Sequence, residues 1–153
     1  MASCFITFKD GRCYSRRWTI YDAILHIAIQ ELERIPGGMP LSEWLKLQIP
    51  VEEAEHQSDA CYGFYNSRID EWKNRELDVR SLTPENQELF WEAIRNGRIR
   101  LVEEGEAYSP LNIDYFDEFY TMYELAEKGE PPMDYNHLII VAEPCKEKNG
   151  PGW

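Results

Sequence analysis

The sequence predicts an α+β fold in one domain: a small mixed or antiparallel sheet, made from an N-terminal hairpin and two later strands, packed with several helices. Three observations predict it. The chain opens on two β-prone runs around Asp10-Gly11, "CFITFKDGRCYSRRW". Several later stretches repeat apolar residues at helical spacing. Regular strand-helix-strand alternation is absent early on, which disfavours a doubly wound sheet. At 153 residues the chain is long enough for one core, assigned here to residues 1–145, and residues 146–153 ("KEKNGPGW") read as a flexible tail. No internal repeat or low-complexity tract interrupts it.

A two-residue loop at Asp10-Gly11 pairs Phe8 with Cys13 and Cys4 with Arg17. One face then carries Cys4, Ile6, Phe8, Cys13 and Ser15, and the other Phe5, Thr7, Tyr14 and Arg16. A helix follows, with Thr19 as N-cap and Asp22 three residues on. Tyr21, Ile24, Leu25, Ala28, Leu32 and Ile35 gather on its inner side, and Asp22, His26, Gln30, Glu33 and Arg34 on its outer side. "PGGMP" at 36–40 stops that helix. "LSEWLKLQIP" fits a short helix that Ser42 could cap, although Leu45, Leu47 and Ile49 also alternate as in a strand. Within 51–80 the pattern is least decisive, and Ile69 and Trp72 suggest a helical turn over 66–77. "SLTPENQELFWEAIRNG" is the clearest helix, with Thr83 as N-cap, Pro84 at the first helical position, Glu85 in the first turn and Asn96-Gly97 as the stop. "RIRLVEE" reads as a strand, 113–128 as a further helix, and "HLIIVAEP" as an apolar, central strand.

Charge narrows the function classes. Net charge is −12, and it concentrates late: residues 101–143 carry 11 acids against Lys128 alone. Such a chain is repelled by nucleic acid and anionic membrane and attracted to basic partners. The competing explanation is plain solubility. No stretch is long and apolar enough to span a membrane, and the N-terminus lacks the pattern of a secretory signal. The four cysteines form no CxxC, and Cys4 and Cys13 are too far apart along the expected hairpin to bridge, so a cytoplasmic location is expected.

Catalytic signatures are absent: there is no GxSxG, P-loop, GxGxxG or HExxH. Glu53-x-x-His56 is half of a di-iron carboxylate pattern without its second copy, and it reads as chance. His26, one turn after Asp22, reads as a surface pair, and His137 as an ordinary strand-edge residue. Arg12, Arg16, Arg17 and Trp18 could touch nucleic acid, but pairing with the protein's own acids is preferred. No cofactor, metal or catalytic residue is assigned.

The segment "NIDYFDEFYTMYELAEKGE" carries the functional expectation. On a helical wheel Tyr115, Phe116, Phe119, Met122, Tyr123 and Ala126 form a core stripe. Asp114, Asp117, Glu118, Thr121, Glu124 and Lys128 lie opposite, with Leu125 at their margin. The acids on this face repel one another at helical spacing, and the preceding loop adds Glu103, Glu104, Glu106 and Tyr108. Local helix stability does not account for that pattern, whereas a cationic partner does. The expected interface is therefore Glu103, Glu104, Glu106, Tyr108, Asp114, Asp117, Glu118 and Glu124.

In type, the chain is similar to the immunity proteins of bacterial toxin systems: small, acidic, catalytically empty and single-domain, with no motif that fixes a family. That resemblance implies an inhibitor that occludes a basic, nuclease-like toxin. A nucleic-acid mimic acting on a DNA- or RNA-binding protein is the alternative, and a small enzyme with an unrecognised acidic site is the second. A homodimer could bury surplus aromatics such as Trp44, Trp72 and Trp91.

Overall fold

The computed structural model describes residues 4–50 and 63–130. In chain order these hold β1 (Cys4–Thr7), β2 (Cys13–Arg16), α1 (Trp18–Leu32), α2 (Met39–Lys46), β3 (Gly63–Asn66), β4 (Glu71–Asn74), β5 (Glu76–Asp78), α3 (Pro84–Glu104) and α4 (Ile113–Lys128). The class is α+β. β2 pairs antiparallel and β5 pairs parallel with β1, giving a mixed sheet of order β2-β1-β5, while β3 and β4 form a separate hairpin. The predicted strand at 138–142, the Glu53/His56 pair, His137 and the 146–153 tail lie outside the described residues.

The N-terminal hairpin forms as expected, but in a different register. Phe8 N–H donates to Arg12 O at 2.8 Å and Gly11 N–H donates to Phe8 O at 3.0 Å. That is a three-residue loop in which Gly11 takes φ 91°, a backbone state that glycine adopts without a Cβ penalty. The extra loop residue pairs Ile6 with Tyr14 and Thr7 with Cys13. A one-residue slip exchanges the two faces of β2. Tyr14 and Arg16 therefore share a face with Cys4, Ile6 and Phe8, and Cys13 and Ser15 share the other with Phe5 and Thr7. The first face meets α4: Phe8 packs on Phe119 and Tyr123, and Tyr14 packs edge-on against Phe119. Cys13 is disulfide-bonded, and Cys4 is a buried thiol. The two are not joined, as the spacing requires.

α1 is buried on more of its circumference than its amphipathic pattern suggests. Its expected inner residues Tyr21, Ile24, Leu25, Ala28 and Leu32 are buried, and so are Ile27, Ile29 and two acids, Asp22 and Glu31. Thr19 does not cap it; the helix begins at Trp18 after Arg17, with no side-chain cap. Asp22 is instead held by Arg75, Nε to Oδ1 at 2.9 Å and Nη2 to Oδ2 at 3.2 Å. The Arg75 guanidinium lies over Trp18 and Phe64. This ties the β3–β4 hairpin to α1. α2 is anchored to the end of α1 by Lys46, whose Nζ is 2.7 Å from Glu33, and by Ser42, which donates to the same carboxylate.

Residues 63–74 are a hairpin, not the helical turn expected at 66–77. Asp70 adopts φ 56° in its loop, and Asn66 and Arg68 donate to the backbone oxygens of Leu47, Lys46 and Ile49. These long-range bonds stabilise an element that a two-stranded ribbon could not sustain alone.

α3 starts as predicted, with Thr83 Oγ1 accepting from Asn86 N–H and Pro84 at the first position. It does not stop at Gly97. It runs to Glu104, so "RIRLVEE" is helix and not strand. Arg, Leu and Glu are good helix formers, and one interior glycine costs only about 1 kcal/mol. Gly97 is required for packing: an added Cβ would lie 2.4 Å from Ile27 Cγ2, where α3 crosses α1. Gly97→Val is expected to lower stability by about 1–3 kcal/mol through overpacking. Urea unfolding reads this as a lower midpoint, and an unchanged midpoint would show that the two helices do not touch there. Arg75→Ala is expected to cost about 3–5 kcal/mol, because it leaves the Asp22 carboxylate buried without its cation. A loss under about 1 kcal/mol in the same assay would mean that water reaches Asp22.

Candidate protein-binding surface

The acidic surface is built where α3 ends and α4 begins. α3 closes at Gly105, with φ 58°, and a single 3-10 turn over 105–107 reverses the chain. The turn is pinned from beneath. Tyr108 is buried and its hydroxyl donates to Glu31 Oε2 at 2.6 Å, while Arg100 Nε donates to the same oxygen at 2.8 Å. Burial, reinforced by the Glu31 carboxylate, pushes the Tyr108 phenol far above its ordinary range, so it remains a proton donor. Ser109 Oγ accepts from Leu111 N–H, and Asn112 caps α4 by accepting from Asp114 N–H at 2.8 Å. Every turn of the reversal is thus hydrogen-bonded to something fixed.

The eight residues singled out from the sequence divide into three groups. Glu103, Glu106 and Asp114 are exposed and make no ion pair among the described residues. Glu104, Asp117 and Glu124 face solvent but have cations beside them: Arg100 at 3.4 Å, Arg98 at 2.8 Å and Lys128 at 3.8 Å. Glu118 and Tyr108 are interior. Glu118 was placed on the solvent face, yet it is buried and accepts from Arg16 Nε at 3.1 Å and from the Tyr14 hydroxyl at 3.4 Å. A wheel drawn for one helix cannot register the β2 arginine that crosses it. Burial also pushes the Tyr14 phenol well above its ordinary range. Of the expected core stripe, Phe116, Phe119, Met122, Tyr123 and Ala126 are buried, but Tyr115 is 40% exposed and does not belong to it.

A largely apolar groove that the sequence reading missed lies at this corner. Leu101, Val102, Pro110, Leu111 and Ile113 line about 540 Å³, with Glu106 on its lip. Val102 is 60% exposed, and Ile99, one turn before it, is 56% exposed. Once 98–104 is read as helix, Ile99, Val102 and Glu103 fall on one face, and Glu106 follows in the 3-10 turn. The strand reading hid that stripe.

Two other regions have chemistry of their own. A cleft of about 460 Å³ is lined by Trp18, Thr19, Asp22, His26, Gln30 and Ser109, but its carboxylate, Asp22, is engaged by Arg75. On the separate hairpin Tyr65 and Trp72 stand directly opposite and both are exposed. Trp44 is exposed too, whereas Trp91 packs on Tyr120 and Tyr123 within the chain. Arg12 and Arg16 pair with Asp10 and Glu118, as expected of them, whereas Arg17 is exposed and makes no ion pair among the described residues. Among the described residues no group of three or more His, Cys, Asp or Glu is arranged to hold a metal ion, and no helix is long and apolar enough to cross a membrane.

The acids of this segment therefore separate by role, and stability measurements distinguish them. Glu118→Ala is expected to cost about 1.5–3 kcal/mol, the range for hydrogen bonds to charged groups. Glu103→Ala and Glu106→Ala are expected to stay within about 0.5 kcal/mol of the parent. Equal losses for all three in chemical denaturation would contradict the division. In comparisons with known proteins, no family model, no curated protein and no solved structure matches this chain.

Proposed function

We propose that the chain is an acidic protein-binding inhibitor, of the immunity or antitoxin kind, that neutralises a basic, nuclease-like toxin by occluding it. The observation that carries this reading is the α3–α4 corner. Glu103, Glu106 and Asp114 are open carboxylates where α3 turns into α4, and Glu106 lines the groove with its exposed aliphatic residues. Preorganised like charge raises the encounter rate with a cationic partner, and a rigid frame reduces the ordering cost of binding. A nucleic-acid mimic would need a longer run of unpaired carboxylates; here Glu104, Asp117 and Glu118 have arginine partners. The cytoplasm is the compartment this reading calls for.

Affinity capture at low salt is expected to retain a strongly basic protein, released as salt rises. With that protein in hand, Glu103→Lys/Glu106→Lys/Asp114→Lys is expected to slow association by about ten-fold or more at low salt while circular dichroism stays unchanged. An unaltered association rate in the triple variant would remove this corner from the interface.

A further inference from the structure

We infer that the groove between α3 and α4 receives one aliphatic or aromatic side chain of the partner, presented between lysine or arginine residues. This rests on the acidic-inhibitor reading and adds the chemistry of the docking segment. Leu101, Val102, Pro110, Leu111 and Ile113 give the groove its apolar lining, beside Gly105, Glu106 and Asn112. Glu106 lines it, and the open carboxylates Glu103 and Asp114 are the chain neighbours of its lining residues Val102 and Ile113. An apolar centre enclosed by charge is how the core and rim of a protein interface are arranged, with the central pocket holding the anchor side chain.

Charge decides among the possible occupants. A second copy of this chain carries −12 and would bring acids to an acidic rim. The chain's own residues 131–153 hold Asp134, Glu143 and Glu147 against Lys146 and Lys148, so they offer no cationic excess. A basic segment with a central apolar side chain satisfies both parts of the surface at once. The carboxylates then govern approach, and the groove governs how long the complex lasts.

Two synthetic peptides test this, Arg-Lys-Leu-Arg-Lys and Arg-Lys-Ser-Arg-Lys, titrated into the full chain and followed by methyl NMR. The leucine peptide is expected to bind about ten-fold more tightly, as burial of one leucine side chain implies, and to shift the Val102, Leu111 and Ile113 methyls. Val102→Ser, a change at an exposed position, is expected to shrink the difference between the peptides while the salt dependence of both persists. The triple lysine variant is expected to weaken both peptides alike. Equal affinities of the two peptides for the parent chain would overturn the groove assignment and leave the acidic reading standing. Absence of salt-dependent binding by either peptide would overturn the acidic reading and the groove assignment with it. Groove methyl shifts that follow protein concentration without peptide would assign the groove to a second copy instead.

Discussion

A carboxylate buried inside a helix bundle must find a cation or a strong donor, because leaving it unpaired costs several kcal/mol. α1 carries two such groups, Asp22 and Glu31, and much of the architecture follows from how they are satisfied. Asp22 binds Arg75, which fixes the start of β5 and the β3–β4 hairpin against α1. Glu31 binds Arg100 and Tyr108, which fixes the end of α3 and the reversal into α4. The central helix thus holds segments distant in sequence by two polar clasps, with the apolar crossing at Ile27 and Gly97 near the second. Glu118 repeats the device on α4, holding it to β2 through Arg16.

The same clasps shape the candidate surface. Counted along the sequence, the region 101–143 looks almost uniformly anionic. In three dimensions arginines from β2 and α3 enter it and engage Glu104, Asp117 and Glu118. Among the described residues of that region Glu103, Glu106, Asp114 and Glu130 stay unpaired, and the first three sit near the turn that Glu31 anchors from beneath, with Glu106 lining the groove. That arrangement supports a specific contact better than a diffuse acidic field does, since the groove gives shape and the acids give sign.

Local signals were legible where chemistry and spacing agreed. Thr83-Pro84 begins α3 and, Tyr115 apart, the aromatic stripe of α4 is buried, because capping and amphipathic burial act within a few residues. Signals failed where one residue type serves two purposes. Gly97 reads as a helix stop but is the point of closest helix approach. Asp10-Gly11 reads as a two-residue turn but is completed by Lys9, and that one residue exchanges the faces of β2. Ile69 and Trp72 suggest a helical turn, yet Asn66 and Arg68 tie that segment to the end of α2 as a hairpin. The apolar groove could be found only after 98–104 was known to be helical.

By itself, then, the sequence determined the α+β class, the starts and inner faces of its strongest helices, and an excess of acid in the last third of the chain. These follow from propensity, periodicity and composition, which are properties of neighbours in sequence. The folded structure decided the hairpin register, through a loop one residue longer than the turn signal implies, and the length of α3 and the burial of Glu118, which depend on partners tens of residues away. Glu118 and Glu106 are both glutamates in an acidic stretch. One is buried under Arg16 and the other faces solvent at the lip of the groove, and only the folded chain distinguishes them.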